Sequence, residues 1–572
     1  MSEIPKLGEV ITLDVTEINN LGVGVARHNG LVVFVKGGVS GDTLMAEVIK
    51  ITKSFAVARL CKIITPSPFR ECADSACAEK LSCGGCVWRG VSYEHELEMK
   101  RASVRASFMR AGVPDAEILP VLCAGKVYRY RNKAQYPVCK TKNGVLAGFY
   151  AAKTHNIIPI DDCKIQNEAF APIVRFVCDF ADKHGISVYD EKSGKGLLRH
   201  IYLRSGDMSG EIMLCLVLSG ESLPCRDDFV RGVTERFPLI VSIMLNKNAE
   251  NTNVVLGDKY TLLFGKPFIE DVLCGLKFKI APEAFYQVNH DGAELLYSKA
   301  AELCECDNED VIDLYCGTGT IGLSMAHRVS RVLGIDIVEK SIECAKENAE
   351  KNGILNAHFA CTDAGKPENI RKCAEKYGFS LSKSTVIMDP PRKGSTPELI
   401  EFLAAERVQK IVYISCNPDT LARDAARFIS LGYKMSEVTP VNMFPRTGHV
   451  ESIVCLNRKT THEMKLHASP FEKIKSGTKT IELRLYDEKR QKIKAGDDII
   501  FTNTVNGEKM YATVKKLHRF NSFEELYKTL PLLQCGYTAE DVDTAHPSDM
   551  EQYYSAEEQK QYGVVGIELF RT

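Results

Sequence analysis

Between residues 7 and about 62, apolar and polar positions nearly alternate in short runs separated by glycine: EVITLDVTEI, GVGVARHNGLVVFVKG, GDTLMAEVIKITKSFAVARL. Successive side chains of a strand point to opposite faces, so this period predicts half-buried strands rolled into a small β-barrel. Residues 91–112 read as a basic amphipathic helix, and from about 127 to 275 the pattern is mostly strands, as in GEIMLCLVLSG and LIVSIMLNK. After about 290 short apolar strands (DVIDLYC, VLGIDI, STVIMDPP, KIVYISC) alternate with helical stretches. That rhythm predicts a doubly wound parallel sheet with helices on both faces. A break near 458 (CLNRKTTHEMKL) leaves a tail of about 110 residues, a plausible α+β domain. The expected division is 1–63, 64–279, 280–458 and 459–572.

Composition narrows this further. The chain has 572 residues, 45% hydrophobic and 26% charged, which is ordinary for globular domains. No run approaches the roughly 18 uninterrupted apolar residues of a membrane span, and the start has no basic region followed by an apolar core. A cytoplasmic monomer without membrane contact is expected. Net charge is −1 but unevenly spread: residues 100–160 hold eleven Lys and Arg against Asp115 and Glu117, a balance of +9. A local excess of this size suits a nucleic-acid path, although a charge run alone is more often a solvated face.

Twenty-one cysteines in a large chain of this kind read mostly as buried small hydrophobes. The segment CADSACAEKLSCGGCVW differs, bringing Cys72, Cys77, Cys83 and Cys86 close together in sequence. A Cys-x-x-Cys pair can hold one metal centre from a single turn, and an iron–sulfur cluster takes four thiolates, often three local and one distant. Cys163 in IPIDDCKI is the distant candidate; zinc and unligated thiols stay open. Further on, DVIDLYCGTGTIGLSMA is a strand, a glycine-rich turn and a helix, with Gly317, Gly319 and Gly322 at dinucleotide-fingerprint spacing. Asp336 follows the next strand at the distance of a ribose-hydroxyl acceptor. Nicotinamide nucleotides and S-adenosylmethionine both carry that ribose. Three more signals sit at strand ends: IMDPPRKG with Asp389, YISCNPDT with Cys416, and MFPRTGHVESIV with His449 and Glu451; APEAFYQVN adds Phe285, Gln287 and Asn289.

These motifs, in this order, resemble the bacterial 23S rRNA (uracil-5-)-methyltransferase family over about residues 7–457. GGVSGDTLMAEV resembles its N-terminal TRAM domain, an OB-like barrel. DLYCGTGTIG resembles the first motif of class I methyltransferases. The resemblance implies a multidomain α/β enzyme that transfers methyl from S-adenosylmethionine to carbon 5 of a uridine in 23S ribosomal RNA. It implies Cys416 as nucleophile and Glu451 as base. Gln287, Asp313, Tyr315, Gly317, Gly319, Asp336 and Asp389 would serve the cofactor or target base, Phe285 would wall the flipped base, and Arg131 and its neighbours would line the RNA path. It also implies a 4Fe–4S cluster on Cys77, Cys83, Cys86 and Cys163 in a central α+β domain, with Cys72 able to replace Cys77. Asp-Pro-Pro-Arg is also similar to the Asp-Pro-Pro-aromatic motif of amino-methyltransferases. That alternative, a nicotinamide oxidoreductase and a non-catalytic RNA-binding protein are the rivals.

The tail MKLHASPFEKIKSGTKTIELRLYDEKRQKIKAGDDIIF resembles the ASCH domain, a PUA-like β-barrel. Residues 463–494 hold nine basic and five acidic side chains, compatible with phosphate contacts. Some small ASCH proteins hydrolyse modified nucleosides with Lys, Thr and Glu. Here Lys479 and Thr480 are present but Glu482 stands where a threonine is expected, which favours RNA positioning over hydrolysis.

Overall fold

The computed structural model describes residues 4–19, 21–71, 83–152, 154–252, 254–305 and 308–571. The chain divides into two compact units, residues 1–431 with 435–456, and residues 432–434 with 457–572. Among the described residues no helix is long and apolar enough to cross a membrane.

The first unit opens with the alternating segment. Strands Val10–Ile18, Val23–His28, Leu31–Lys36, Thr43–Ile51 and Phe55–Thr65 form a closed five-stranded barrel. Alternate residues (Leu13, Val15, Val33, Val35, Leu44, Ala46) fill its interior, as the period of two requires.

A seven-stranded sheet follows, in the order Lys259–Gly265, Ile240–Lys247, Ile212–Leu218, Leu198–Ser205, Lys133–Thr141, Gly144–Tyr150, Ile157–Pro159. Its two middle strands, Leu198–Ser205 and Ile212–Leu218, are buried at every position. The reason is that both faces are covered. Ile201, Leu203, Leu214 and Leu216 pack in one core with residues of the helices Phe170–Lys183 and Arg226–Arg236. Tyr202, Met213 and Cys215 face the other way, into a core shared with the hairpin Ile269–Leu273/Leu276–Ile280 and the doubly wound domain. The central sheet is thereby fastened to the domain that follows it.

The helix Tyr93–Arg110 forms where a basic helix is predicted, capped by Ser92. Its buried stripe, however, is Glu96, Lys100, Val104, Ser107 and Phe108. Two members of the charged pattern are therefore interior, not solvent-facing.

In the doubly wound domain the parallel strands run in the order Ala357–Cys361, Arg331–Asp336, Asp310–Leu314, Ser384–Met388, Lys410–Ser415, followed by Glu451–Arg458. The order reverses direction on either side of Asp310–Leu314. That switch point is where ligands bind in open α/β sheets.

In the second unit Thr461–Leu466, Asp498–Asn503, Lys509–Phe520, Val564–Arg571 and Ile481–Leu485 form a five-stranded sheet in that order. The expected barrel is not closed by a ladder here. Its two edge strands are instead bridged by a side chain, Arg484 donating to the Lys465 carbonyl at 3.0 Å.

Candidate active site

At the switch point the chain leaves the strand Asp310–Leu314 through Tyr315, held at φ +66°. A bulky residue in that region costs strain and is kept only where its surroundings demand it. Gly317 follows at φ +55°, and a Cβ there would meet open space, so this backbone faces the cleft bare. The Gly317 N–H donates to Asp336 Oδ2 at 3.0 Å, and Val338 N–H to Asp336 Oδ1 at 2.8 Å. One carboxylate thus ties the first two strand ends together. Behind the loop Asp313 is fully buried, and its Oδ2 accepts from the Gly322 N–H at 3.0 Å. A Cβ on Gly322 would lie 2.8 Å from Val332, so only glycine lets this helix sit so close to the sheet. Gly319 starts the helix Thr320–Met325. Asp313 and Gly319 shape the loop from behind without lining the cleft.

The cleft itself, about 1350 Å³, collects Phe285, Gln287, Tyr315, Gly317, Asp336, Asp389, Arg392, Cys416, His449 and Glu451. Separate segments bring them there. Asp389 follows the strand Ser384–Met388 and Cys416 follows Lys410–Ser415, while Glu451 begins its own strand. Asn417 caps the helix Pro418–Ser430 and donates to the Arg392 carbonyl at 3.1 Å, joining the Cys416 and Asp389 loops. Phe285 and Gln287 lie on the far wall. That wall is held by Arg204, completely buried, which donates to the carbonyls of Ala284 at 2.8 Å and Tyr286 at 3.3 Å. Asn289 points elsewhere: it caps the helix His290–Cys304 and donates to the Met443 carbonyl at 3.0 Å.

Electrostatics set this cleft apart. Removal from water pushes the carboxyls of Asp313 and Asp389 up to about 7, and burial with the neighbouring Asp389 charge pushes Glu451 up to about 8. The Cys416 thiol is also raised, by burial, Glu451 and Asp389, with Arg392 opposing. Cys416 directly precedes the helix cap, and a helix N-terminus favours a thiolate. The cleft is an acid-rich place suited to a cation. Its carboxyls titrate lower in the unfolded chain, so the stability they contribute is complete below about pH 4 and is lost as pH rises through about 7–8. The melting temperature is therefore expected to fall between about pH 6 and about pH 8. The double variant Asp389→Asn/Glu451→Gln should flatten that slope. Lys100 and Lys133, pushed down to about 8 by burial, add an opposite trend only above that pH.

The sequence pattern of the tRNA (Uracil-5-)-methyltransferase family matches residues 243–459, that of the TRAM domain residues 6–61, and that of the ASCH domain residues 464–571. An RNA methyltransferase of Bacillus cereus is 39% identical over 452 residues, covering 79% of this chain and 97% of its own length. One from Clostridium tetani is 39% identical over 458 residues, covering 79% and 98%. The crystal structure of Pyrococcus abyssi tRNA (uracil-54, C5)-methyltransferase, in complex with S-adenosyl-L-homocysteine, superposes with a TM-score of 0.63 at 30% identity, covering 78% of this chain and 99% of that one. The chain belongs to the RNA uracil-5 methyltransferase family.

As an S-adenosylmethionine-dependent RNA methyltransferase, the protein needs a seat for a sulfonium cation, which the acid-rich cleft offers. Several cleft residues escaped sequence reasoning, Asp363 among them. Asp363, after the strand Ala357–Cys361, accepts from the Gly365 N–H at 2.8 Å and lines the cleft. It follows the third strand by two residues, while Asp336 ends the second.

A second cavity, about 280 Å³, adjoins the methyltransferase cleft through the shared residues Arg131, Lys133 and Gln135. Cys83, Cys86 and Cys163 line it. Arg89 donates to the carbonyls of Cys83 at 2.7 Å and Cys86 at 2.9 Å, and Arg129 to that of Cys163 at 3.0 Å. Among the described residues no three His, Cys, Asp or Glu side chains are close enough to form a metal site. The ligand set expected from sequence is thus not closed within them, and Cys72 and Cys77 lie outside the described residues. The three thiols are each half-buried on one arginine-rimmed cavity.

Proposed function

We propose that this methyltransferase converts a uridine of 23S ribosomal RNA to 5-methyluridine through a covalent adduct at Cys416. The observation that carries this reading is the meeting of Cys416 and Glu451 in one cleft with Gly317, Asp336 and Asp389. Methylation of an amine needs neither a thiol nor a second base, which argues against the amino-methyltransferase alternative. Carbon 5 of uracil is too weak a nucleophile to take a methyl group unaided. Addition of the Cys416 thiolate to carbon 6 makes an enolate with electron density on carbon 5. Carbon 5 attacks the methyl carbon of the donor, a carbon–carbon bond forming as the methyl–sulfur bond breaks, and the co-substrate leaves as S-adenosylhomocysteine. The Glu451 carboxylate then takes the carbon-5 proton, the double bond re-forms and the thiolate leaves. The target base must be flipped out of its stack to reach Cys416, and the exposed Phe285 ring offers a wall for it.

Cys83, Cys86 and Cys163 would hold a 4Fe–4S cluster, together with Cys77 or Cys72. Such a cluster would brace the RNA-facing wall as a cross-link between distant segments. The domain division 1–63, 64–279, 280–458 and 459–572 belongs to the same reading, with the ASCH unit as an RNA-positioning module.

Transfer RNA is the second reading, favoured by the substrate for which the structurally similar Pyrococcus abyssi enzyme is named. Mapping 5-methyluridine by mass spectrometry in both RNA pools of a strain lacking this protein tests the two. Loss at a 23S site is expected, loss in tRNA alone would transfer the assignment, and no loss in either pool would remove it. Lys133 lines the RNA side of the cleft beside Arg131. Lys133→Ala is expected to raise KM for RNA several-fold and to weaken the salt dependence of binding by about one phosphate contact, with KM for the methyl donor unchanged.

A further inference from the structure

The segment 442–449 brings Phe444 and His449 to the cleft and runs directly into Glu451, yet it has no regular structure of its own from 442 to 450. Its shape is imposed by the cysteine-bearing part of the chain. Glu96, inaccessible to solvent, accepts from the Arg446 N–H at 3.0 Å to each carboxylate oxygen and from Asn442 Nδ2 at 3.2 Å. Lys100, also inaccessible, pairs with Glu96 at 3.0 Å and donates to Asn442 Oδ1 at 2.6 Å and the Phe444 carbonyl at 3.0 Å. Tyr130 donates to the Pro445 carbonyl at 2.9 Å, and the Trp88 N–H to that of Arg446 at 3.2 Å.

At the centre of this clamp Arg446 sits at φ +68°, 4% exposed. Glycine would adopt that backbone at no steric cost, so an arginine there calls for a reason in its side chain. Its guanidinium donates to the Val91 carbonyl at 2.5 Å, pairs with Glu71 at 3.2 Å, and lies 5.8 Å from the Tyr93 ring and 5.2 Å from the Tyr128 ring. It also lines the cavity of Cys83, Cys86 and Cys163.

We infer that Arg446 is a positioning residue for the general base: its guanidinium, held by the Val91 carbonyl, Glu71 and the rings of Tyr93 and Tyr128, locks the 442–449 segment in the one path that presents Glu451 to the carbon-5 proton. This rests on the assignment of Cys416 and Glu451 above. A displaced base has a distinctive consequence. Cys416 still adds and carbon 5 is still methylated, but the proton stays and the carbon–sulfur bond does not break, so methylated RNA remains attached to the protein.

The experiment compares Arg446→Gly, Arg446→Lys, Glu451→Gln and the unaltered full-length protein. The RNA probe is total RNA from a strain lacking this protein, with S-adenosylmethionine. Arg446→Gly removes the guanidinium while relieving the backbone. It is expected to lower kcat at least tenfold, to leave KM for RNA within twofold, and to accumulate a denaturant-resistant RNA–protein complex joined through Cys416. Arg446→Lys should recover part of kcat and shed most of the complex. If Glu451→Gln forms the complex and Arg446→Gly does not, or if the Arg446→Gly defect lies in KM or thermal stability alone, the positioning role is wrong. If Glu451→Gln forms no complex either, the covalent reading itself fails.

Discussion

Cys416→Ala is expected to lower methylation by on the order of 10³-fold or more while leaving donor affinity intact. The second half follows from geometry. The Gly317 backbone, Asp336 and Asp363 belong to the first three strand ends, and none hydrogen-bonds through Cys416. The first half follows from the chemistry of uracil. Without a thiolate at carbon 6 there is no enolate, and carbon 5 cannot take up a methyl group at a useful rate. Two measurements check it: titration with S-adenosylhomocysteine, and methyl incorporation into RNA from a strain lacking the protein. A variant that binds donor normally and methylates at the parental rate would exclude the adduct mechanism. Because burial, Glu451 and Asp389 hold the thiol up, adduct formation by the unaltered protein should quicken as pH rises above neutrality. Arg392 and a bound sulfonium both act to make the thiolate available sooner.

Glu451→Gln separates the two halves of the reaction. Addition and methyl transfer need no base at carbon 5, whereas release does. The variant should therefore turn over once, retain its RNA covalently, and lose multiple-turnover activity by on the order of 10²–10⁴-fold. Denaturing electrophoresis with labelled RNA, followed by intact mass of the protein, reads the complex directly. The raised Glu451 carboxyl fits this division of labour. A carboxyl near 8 becomes ionised when a cation enters the cleft or when pH rises, and once ionised it is a stronger base than an ordinary surface carboxylate. Undiminished turnover with no covalent complex would assign the proton removal to another group.

Much of this was legible in the chain alone. Alternation from 7 to 62 meant a barrel because a strand has a period of two, and strand–helix rhythm after 290 meant a parallel sheet. Glycines at 317 and 319, acids at 336 and 389, and Ser-Cys-Asn-Pro at 415–418 are local patterns that can be recognised without knowing their distant neighbours. Other features were invisible for a physical reason. The helix Tyr93–Arg110 looks solvent-facing, since Glu96 and Lys100 are charged; they pair with each other, and partners far along the chain, at Asn442 and Arg446, complete the offset to the cost of burying them. Asn289 looked like a site residue beside Gln287, but its side chain is consumed by a helix cap. Asp363 sits in an ordinary turn until three strand ends are placed side by side.

Local sequence by itself therefore determined which elements form and where the ligand-facing end of the sheet lies, because each depends on periodicity or on residues adjacent along the chain. Tertiary structure alone decided that the cysteine cavity and the cleft share a wall, that burial raises the carboxyls of Asp389 and Glu451, and that Glu451 follows a segment clamped by a buried ion pair. Those properties depend on desolvation and on contacts between residues far apart in sequence, which no local pattern encodes.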